Sequence, residues 1–229
     1  MEHTSRDFER ELRTLRERLL AMGGRAEQQI VKAVDALVRR DDALAASVIE
    51  DEVKIDQDEI DIDEFAFLIL AKRQPVASDL RFVMLALKVV TDLERIGDMA
   101  VNIAKREREI TVPAEAPLLQ DLKELAERVR RALRLALDSF MNADPVTAEN
   151  VIRDDTEIDH LNVQFISTLL SGKHMDAAES ARVLTLSSVS RYLERIGDHA
   201  TNIAEMVIYY VRGRDVRHHL APGGGKPTR

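Results

Sequence analysis

Four pairs of acidic side chains share one spacing, Asp or Glu followed four positions later by Asp: Glu52 and Asp56, Glu94 and Asp98, Asp155 and Asp159, Glu194 and Asp198. On a helix, residues four apart lie on one face with Cβ atoms about 6 Å apart. Like charges so placed weaken an isolated helix by roughly a few tenths of a kcal/mol, so helix formation does not favour the pattern. If the helices carrying the pairs lie side by side, their carboxylates converge, and a hard multivalent cation is the simplest neutraliser. Two other readings stand beside that one. Arg95 and Arg195 are placed to form an ion-pair network with the acids. Alternatively the acids form a solvated face, because Leu93, Ile96, Ala100 and Ile103 make an apolar stripe with Glu94, Asp98 and Asn102 on roughly the opposite side. Against a purely solvated face, that side begins as Leu80, Met84 and Leu87, which predicts a neighbouring helix or a partner over it. Gly97 and Gly197 predict a close approach by a backbone or ligand, since mid-helix glycine costs roughly 1 kcal/mol.

The pairs belong to a duplication. Residues 93–104 and 193–204, LERIGDMAVNIA and LERIGDHATNIA, agree at ten of twelve positions across an offset of 100. Residues 48–56 and 151–159 agree at five of nine across an offset of 103. Each half therefore carries one marked segment in its second helix and one in its third.

The elements that must position these segments are long helices. Between the six prolines the chain is rich in Leu, Ala, Glu, Arg, Val and Ile. Phe8, Leu12, Leu15, Leu19, Met22, Ala26, Ile30, Ala33 and Leu37 follow steps of mostly four and three, predicting one helix capped by Thr4 or Ser5, with room for a kink at Gly23-Gly24. A second helix is expected from near Asp41 to Pro75 and a third from Pro75 to about Arg108. The fourth is expected over 118–141, the fifth from Asp144-Pro145 to Gly172, and the sixth from a capping box at Asp176 and Glu179 to about Arg212. The predicted fold is all-α: two tandem, internally duplicated three-helix bundles over 1–110 and 118–212, a linker at 111–117 and a disordered tail at 213–229.

Composition narrows the function. The 229 residues include no Cys and carry a net charge of −8. That argues against a nucleic-acid partner, which needs a local excess of Lys and Arg. Thiolate zinc sites and thiol nucleophiles are absent with the cysteines, and a reducing compartment is expected. The longest apolar run is far short of the roughly 20 residues of a membrane span, and the start has no signal-peptide pattern, so a cytoplasmic location is expected. No Gly-rich phosphate loop is present. A carboxylate-bridged di-iron oxidase or ferroxidase is the enzymatic alternative. Such sites need Glu-x-x-His from each of two helices, whereas only Glu157 and His160 have that spacing. His160 and His199 flank motif aspartates about 100° round the helix from them, and solvated or capping roles are expected for both; His218 and His219 belong to the tail.

Over roughly residues 5–212 the chain resembles the PhoU family of phosphate-signalling regulators. The resemblance rests on the two LERIGD segments, on HATNIA at 199–204 and on QPVASDLR at 74–81. It implies paired three-helix bundles, dimerisation, and acidic motifs that bind multinuclear metal in some members. Carried over, the metal ligands are the eight acids named above. The resemblance implies multinuclear iron or another metal, and iron, zinc, manganese, magnesium and calcium all accept oxygen donors. The resemblance further implies a negative regulator of phosphate uptake and of the phosphate-starvation response. It would act without catalysis, through a phosphate ABC transporter ATPase subunit and a phosphate-sensing histidine kinase, and be peripheral to the membrane only through them. The QPVASDLR segment has no second-half copy, which confines any role of Asp79 and Arg81 to the first half; favouring the positive end of a helix dipole would equally explain Asp79.

Overall fold

The computed structural model describes residues 2–110, 114–171 and 176–213, with side chains from residue 6. Among the described residues six helices run in order: α1 (Glu2–Arg39), α2 (Asp42–Arg73), α3 (Ala77–Lys105), α4 (Ala116–Asn142), α5 (Pro145–Leu170) and α6 (Ala177–Arg212). A 3-10 turn, Glu107–Glu109, follows α3. Among the described residues no helix is long and apolar enough to cross a membrane.

Local chemistry sets most of the boundaries. Asp41 caps α2 by accepting from the Leu44 N–H at 2.9 Å. Asp144 caps α5 by accepting from the N–H groups of Val146 and Thr147, with Pro145 opening the helix. Each cap satisfies donors that the first helical turn leaves unpaired. Asp176 accepts from the Glu179 N–H at 2.8 Å, but the Glu179 carboxylate turns to Arg182, so only half of the expected capping box forms. Gln74 ends α2 in the left-handed region and returns its N–H to Leu70.

Several expected boundaries move. Because α1 extends from Glu2, Thr4 and Ser5 lie inside it rather than at its cap. The linker contracts, since Ala116 and Pro117 open α4, where proline costs no hydrogen bond. Residues 111–113, Gly172 and the tail from 214, with His218 and His219, lie outside the described residues. Gly23 and Gly24 pass without interrupting α1.

Helices α1, α2 and α3 pack on one another, as do α4, α5 and α6, and the two units meet through α3 against α6 and α1 against α4. At that junction Phe82 of α3 stacks on Phe140 of α4 at 5.5 Å and meets Tyr210 of α6 edge-on at 6.2 Å. The Arg16 guanidinium caps the Phe82 ring at 4.3 Å. Gly23 brings α1 close to Leu137 of α4. The core runs through both units, with Leu15, Leu19, Ile30, Ile55, Ile62, Leu93, Ile96, Leu193 and Ile196 sealed from solvent. Helices α2 and α5 lie outside the α1–α3–α4–α6 centre.

Candidate functional site: two acidic grooves

The predicted apolar stripe on α3 is fully buried, at Leu93, Ile96, Ala100 and Ile103. Glu94 and Asp98 consequently emerge at the boundary with α2, where Glu52 and Asp56 line the opposite wall. Ile55 fixes the register. It packs over Gly97, where an added Cβ would lie 3.0 Å from its Cδ1. Ile158 does the same over Gly197, at 3.4 Å. The close approach predicted at the two glycines is therefore made by an isoleucine side chain, not by a backbone or ligand.

In the first groove burial and neighbouring carboxylates raise the pKa values of Glu52, Glu59 and Glu94. Burial, then the charge of Asp98, push Glu94 up to about 7. Glu52 is raised by burial and by Asp56 and Asp98, against a pull from Lys105. Asp98 is close enough to Glu52 and to Glu94 to share a hydrogen bond once one of the carboxyls carries a proton. Two further acids belong here, Glu59 and Asp63. Burial raises both, and Asp63 and Asp56 add to the shift at Glu59. They lie seven residues beyond Glu52 and Asp56, two helical turns along the same face, and that heptad step is the sequence signal that reveals them.

The second groove brings all four of its predicted acids together. Burial, then Asp159 and Asp198, push Asp155 up to about 6. Burial, then Asp198 and Asp159, raise Glu194, and burial, then Asp159, raise Asp198. In place of Glu59 this half has Asn162, which donates to Glu194 at 2.8 Å and accepts from the Ser190 hydroxyl.

Arginine partly occupies the first groove. Arg95 lies 3.3 Å from Glu94 and 3.3 Å from Asp98, so the expected ion-pair contact is present. It leaves the buried Glu94 Oε2 without a hydrogen bond, and the buried Asp63 Oδ1 is likewise unpaired. Among the described residues no three Asp, Glu or His side chains are arranged to hold a metal ion between them. The donor chemistry nevertheless suits a hard cation, since every group is a carboxylate and burial disfavours its unneutralised charge. With Arg95 more than half exposed, at 56%, its displacement would open Glu94 and Asp98.

Other predicted residues take different places. His199 is not a solvated or capping group: its Nδ1 lies 2.7 Å from Asp92 Oδ1, joining α6 to α3 in a partly buried contact. His160 is exposed, and Glu157 turns to Arg128 of α4 at 3.3 Å. Neither joins the acidic groove as a Glu-x-x-His site would require. Asp79 sits in the first turn of α3 and Arg81 is exposed. Leu80 and Met84, expected under a neighbouring helix or a partner, are not covered by a helix of this chain and stand open at 40% and 46%.

The architecture and its doubled acidic motif define an internally duplicated, all-helical protein with one carboxylate groove per three-helix unit. Comparison with known proteins gives that class its family. The PhoU domain model matches twice, over residues 19–106 and 122–207. A relative from Pseudomonas putida, named as a phosphate-specific transport system accessory protein PhoU homolog, is 44% identical over 94% of this chain and 85% of its own length. The phosphate-specific transport system accessory protein PhoU of Escherichia coli (strain K12) is 38% identical over 94% of this chain and 90% of its own. The crystal structure of PhoU from Pseudomonas aeruginosa superposes with a TM-score of 0.84 at 41% identity, covering 90% of this chain and all of that one. The phosphate transport system regulatory protein PhoU from Streptococcus pneumoniae gives 0.82 at 26% identity, over 91% and 99%. The chain belongs to the PhoU family.

Proposed function

We propose that this protein is an accessory regulator of phosphate uptake. It holds down transport and the phosphate-starvation response when phosphate is plentiful. It acts by contact with the ATPase subunit of a phosphate ABC transporter and with a phosphate-sensing histidine kinase, in the cytoplasm and as a homodimer. The observation that carries this reading is near full-length similarity to proteins named for that accessory role. The absence of a paired Glu-x-x-His arrangement in the grooves favours regulation over di-iron oxidation.

The acidic grooves are proposed to hold metal. Glu52, Asp56, Glu94 and Asp98 would serve in the first, and Asp155, Asp159, Glu194 and Asp198 in the second. Iron is the first candidate, with zinc, manganese, magnesium and calcium accepting the same donors. A bound cation would supply positive charge that relieves the mutual repulsion of the carboxylates. The chain's own part is to fix the donors on two rigid helices, with Ile55 on Gly97 and Ile158 on Gly197 setting the spacing.

Two experiments test this. Deleting the gene should derepress a phosphate-starvation reporter at high phosphate, and the wild-type chain should restore repression; a reporter that stays repressed in the deletion removes the regulatory reading. Elemental analysis and calorimetry on wild type and on Asp98→Asn with Asp198→Asn should show metal in the first and a large loss in the second. Equal content in both eliminates the metal site.

A further inference from the structure

Beyond the acids, each groove continues as an apolar surface that the duplication repeats. Ile60 and Phe67 of α2 and Met84 of α3 correspond to Val163 and Leu170 of α5 and Leu184 of α6. All six are exposed, from 46% at Met84 to 70% at Leu184. A lone exposed apolar side chain needs no explanation, but equivalent ones at three paired positions mark a surface with a use.

Their placement relative to the acids follows from the register. Phe67 lies twelve residues beyond Ile55, and Met84 thirteen residues before Gly97. On antiparallel helices rising 1.5 Å per residue, both therefore sit about 18 Å along the groove from the Ile55–Gly97 contact. Leu170 and Leu184 have the same spacing from the Ile158–Gly197 contact. The sides agree as well. Met84, Thr91 and Asp98 are seven residues apart in succession, as are Leu184, Arg191 and Asp198, so each set shares one helix face. Each unit thus presents an open trough between two helices, acidic at one end and apolar at the other.

The charge balance selects the occupant. In the first trough six carboxylates, at Glu52, Asp56, Glu59, Asp63, Glu94 and Asp98, face Arg95 and Lys105. In the second, Asp155, Asp159, Glu194 and Asp198 face Arg191 and Arg195. A second copy docking through the same face would bring carboxylates towards carboxylates, whereas Lys and Arg on a different protein would neutralise them.

We infer that each trough docks a basic amphipathic helix of a partner protein, one that carries apolar anchors about 18 Å, some twelve residues, from a cluster of Lys and Arg. The apolar end receives the anchors and, in the metal-free protein, the acidic end receives the cations, so that a bound metal ion and the partner's Lys and Arg compete for the same carboxylates. Because the trough is duplicated, one chain engages two such helices. This inference rests on the accessory-protein reading and deepens it by assigning the contact surface and its stoichiometry.

The probe is the purified ATPase subunit of the phosphate transporter from the same organism, titrated calorimetrically into the metal-free full chain. The variants are Phe67→Ser with Met84→Ser, Leu170→Ser with Leu184→Ser, and all four together, with helix content checked by circular dichroism. Wild type should show two sites per chain and weaken as salt rises. Each double variant should lose one site or bind there about tenfold or more weakly, and the quadruple variant should lose both. Undiminished binding by a folded quadruple variant overturns the troughs as docking sites while leaving the accessory reading intact. A folded wild type that does not bind overturns both. If the quadruple variant changes self-association in sedimentation but keeps its ATPase affinity, the troughs are an interface between copies and the inference fails. Should a double variant fail to fold, Phe67→Gln or Leu170→Gln alone gives the same reading on one trough.

Discussion

Glu94 concentrates the electrostatics of the first groove. Its carboxyl is pushed from an ordinary 4.5 to about 7 by burial and by Asp98. A carboxyl whose pKa is higher folded than unfolded binds more protons in the folded state across that interval, so its contribution to stability falls as pH rises from about 4.5 to 7. Glu94→Gln removes the charge and keeps the shape. In metal-free protein it should raise the thermal midpoint at pH 8, by about 2–4 °C for each kcal/mol relieved, and leave it nearly unchanged at pH 4. A midpoint that does not move at pH 8 would show that Arg95 already neutralises the group. The eight motif acids are legible in the sequence because duplication marks what both halves keep. It passes over Glu59 and Asp63, whose counterparts are Asn162 and Ile166. His199 is not legible in the same way, because its partner Asp92 lies 107 residues away across the junction of the units.

The helices are where local chemistry and packing can be separated. Gly23 and Gly24 are neighbours inside α1, yet a methyl at Gly23 collides with Leu137 while one at Gly24 meets nothing within 4 Å. Gly24→Ala should therefore stabilise by up to about 1 kcal/mol through helix propensity alone. Gly23→Ala must displace Leu137, at a cost of about 1–3 kcal/mol that outweighs the same gain. Urea unfolding of the two variants checks this, and a shift of the same sign in both would refute the packing at Gly23. Proline and capping residues made most helix boundaries readable to within a few residues, because Asp41, Asp144 and Asp176 act on backbone donors two or three positions away. Helix α1 starts ahead of the expected caps because Thr4 and Ser5 are good caps and also acceptable helix residues, and nothing local forces the helix to wait for them.

At the level of the whole molecule, the aromatic contact of Phe82 with Phe140 and Tyr210 ties three helices from both units. Phe82→Ala should cost about 3–5 kcal/mol and reduce the coupling between the halves, seen as a broadened or divided transition in denaturant. A single, equally steep transition at an unchanged midpoint would show that the ring is dispensable. Duplication foretells two similar units but not how they meet. The residues at the junction, Gly23, Phe82, Leu137 and Tyr210, are ordinary core types scattered over four helices, and no spacing within one helix reveals that they converge.

The outer position of α2 and α5 carries one more consequence. Among the described residues each packs mainly on the helices of its own unit, so each can lift away without dismantling the centre, and local opening of that kind needs less free energy than global unfolding. In deuterium labelling followed by mass spectrometry, amides of α2 and α5 should exchange ahead of those in α3 and α6. Any ligand that bridges α2 to α3, or α5 to α6, should slow that exchange on the rim and leave the middle of the molecule as it was.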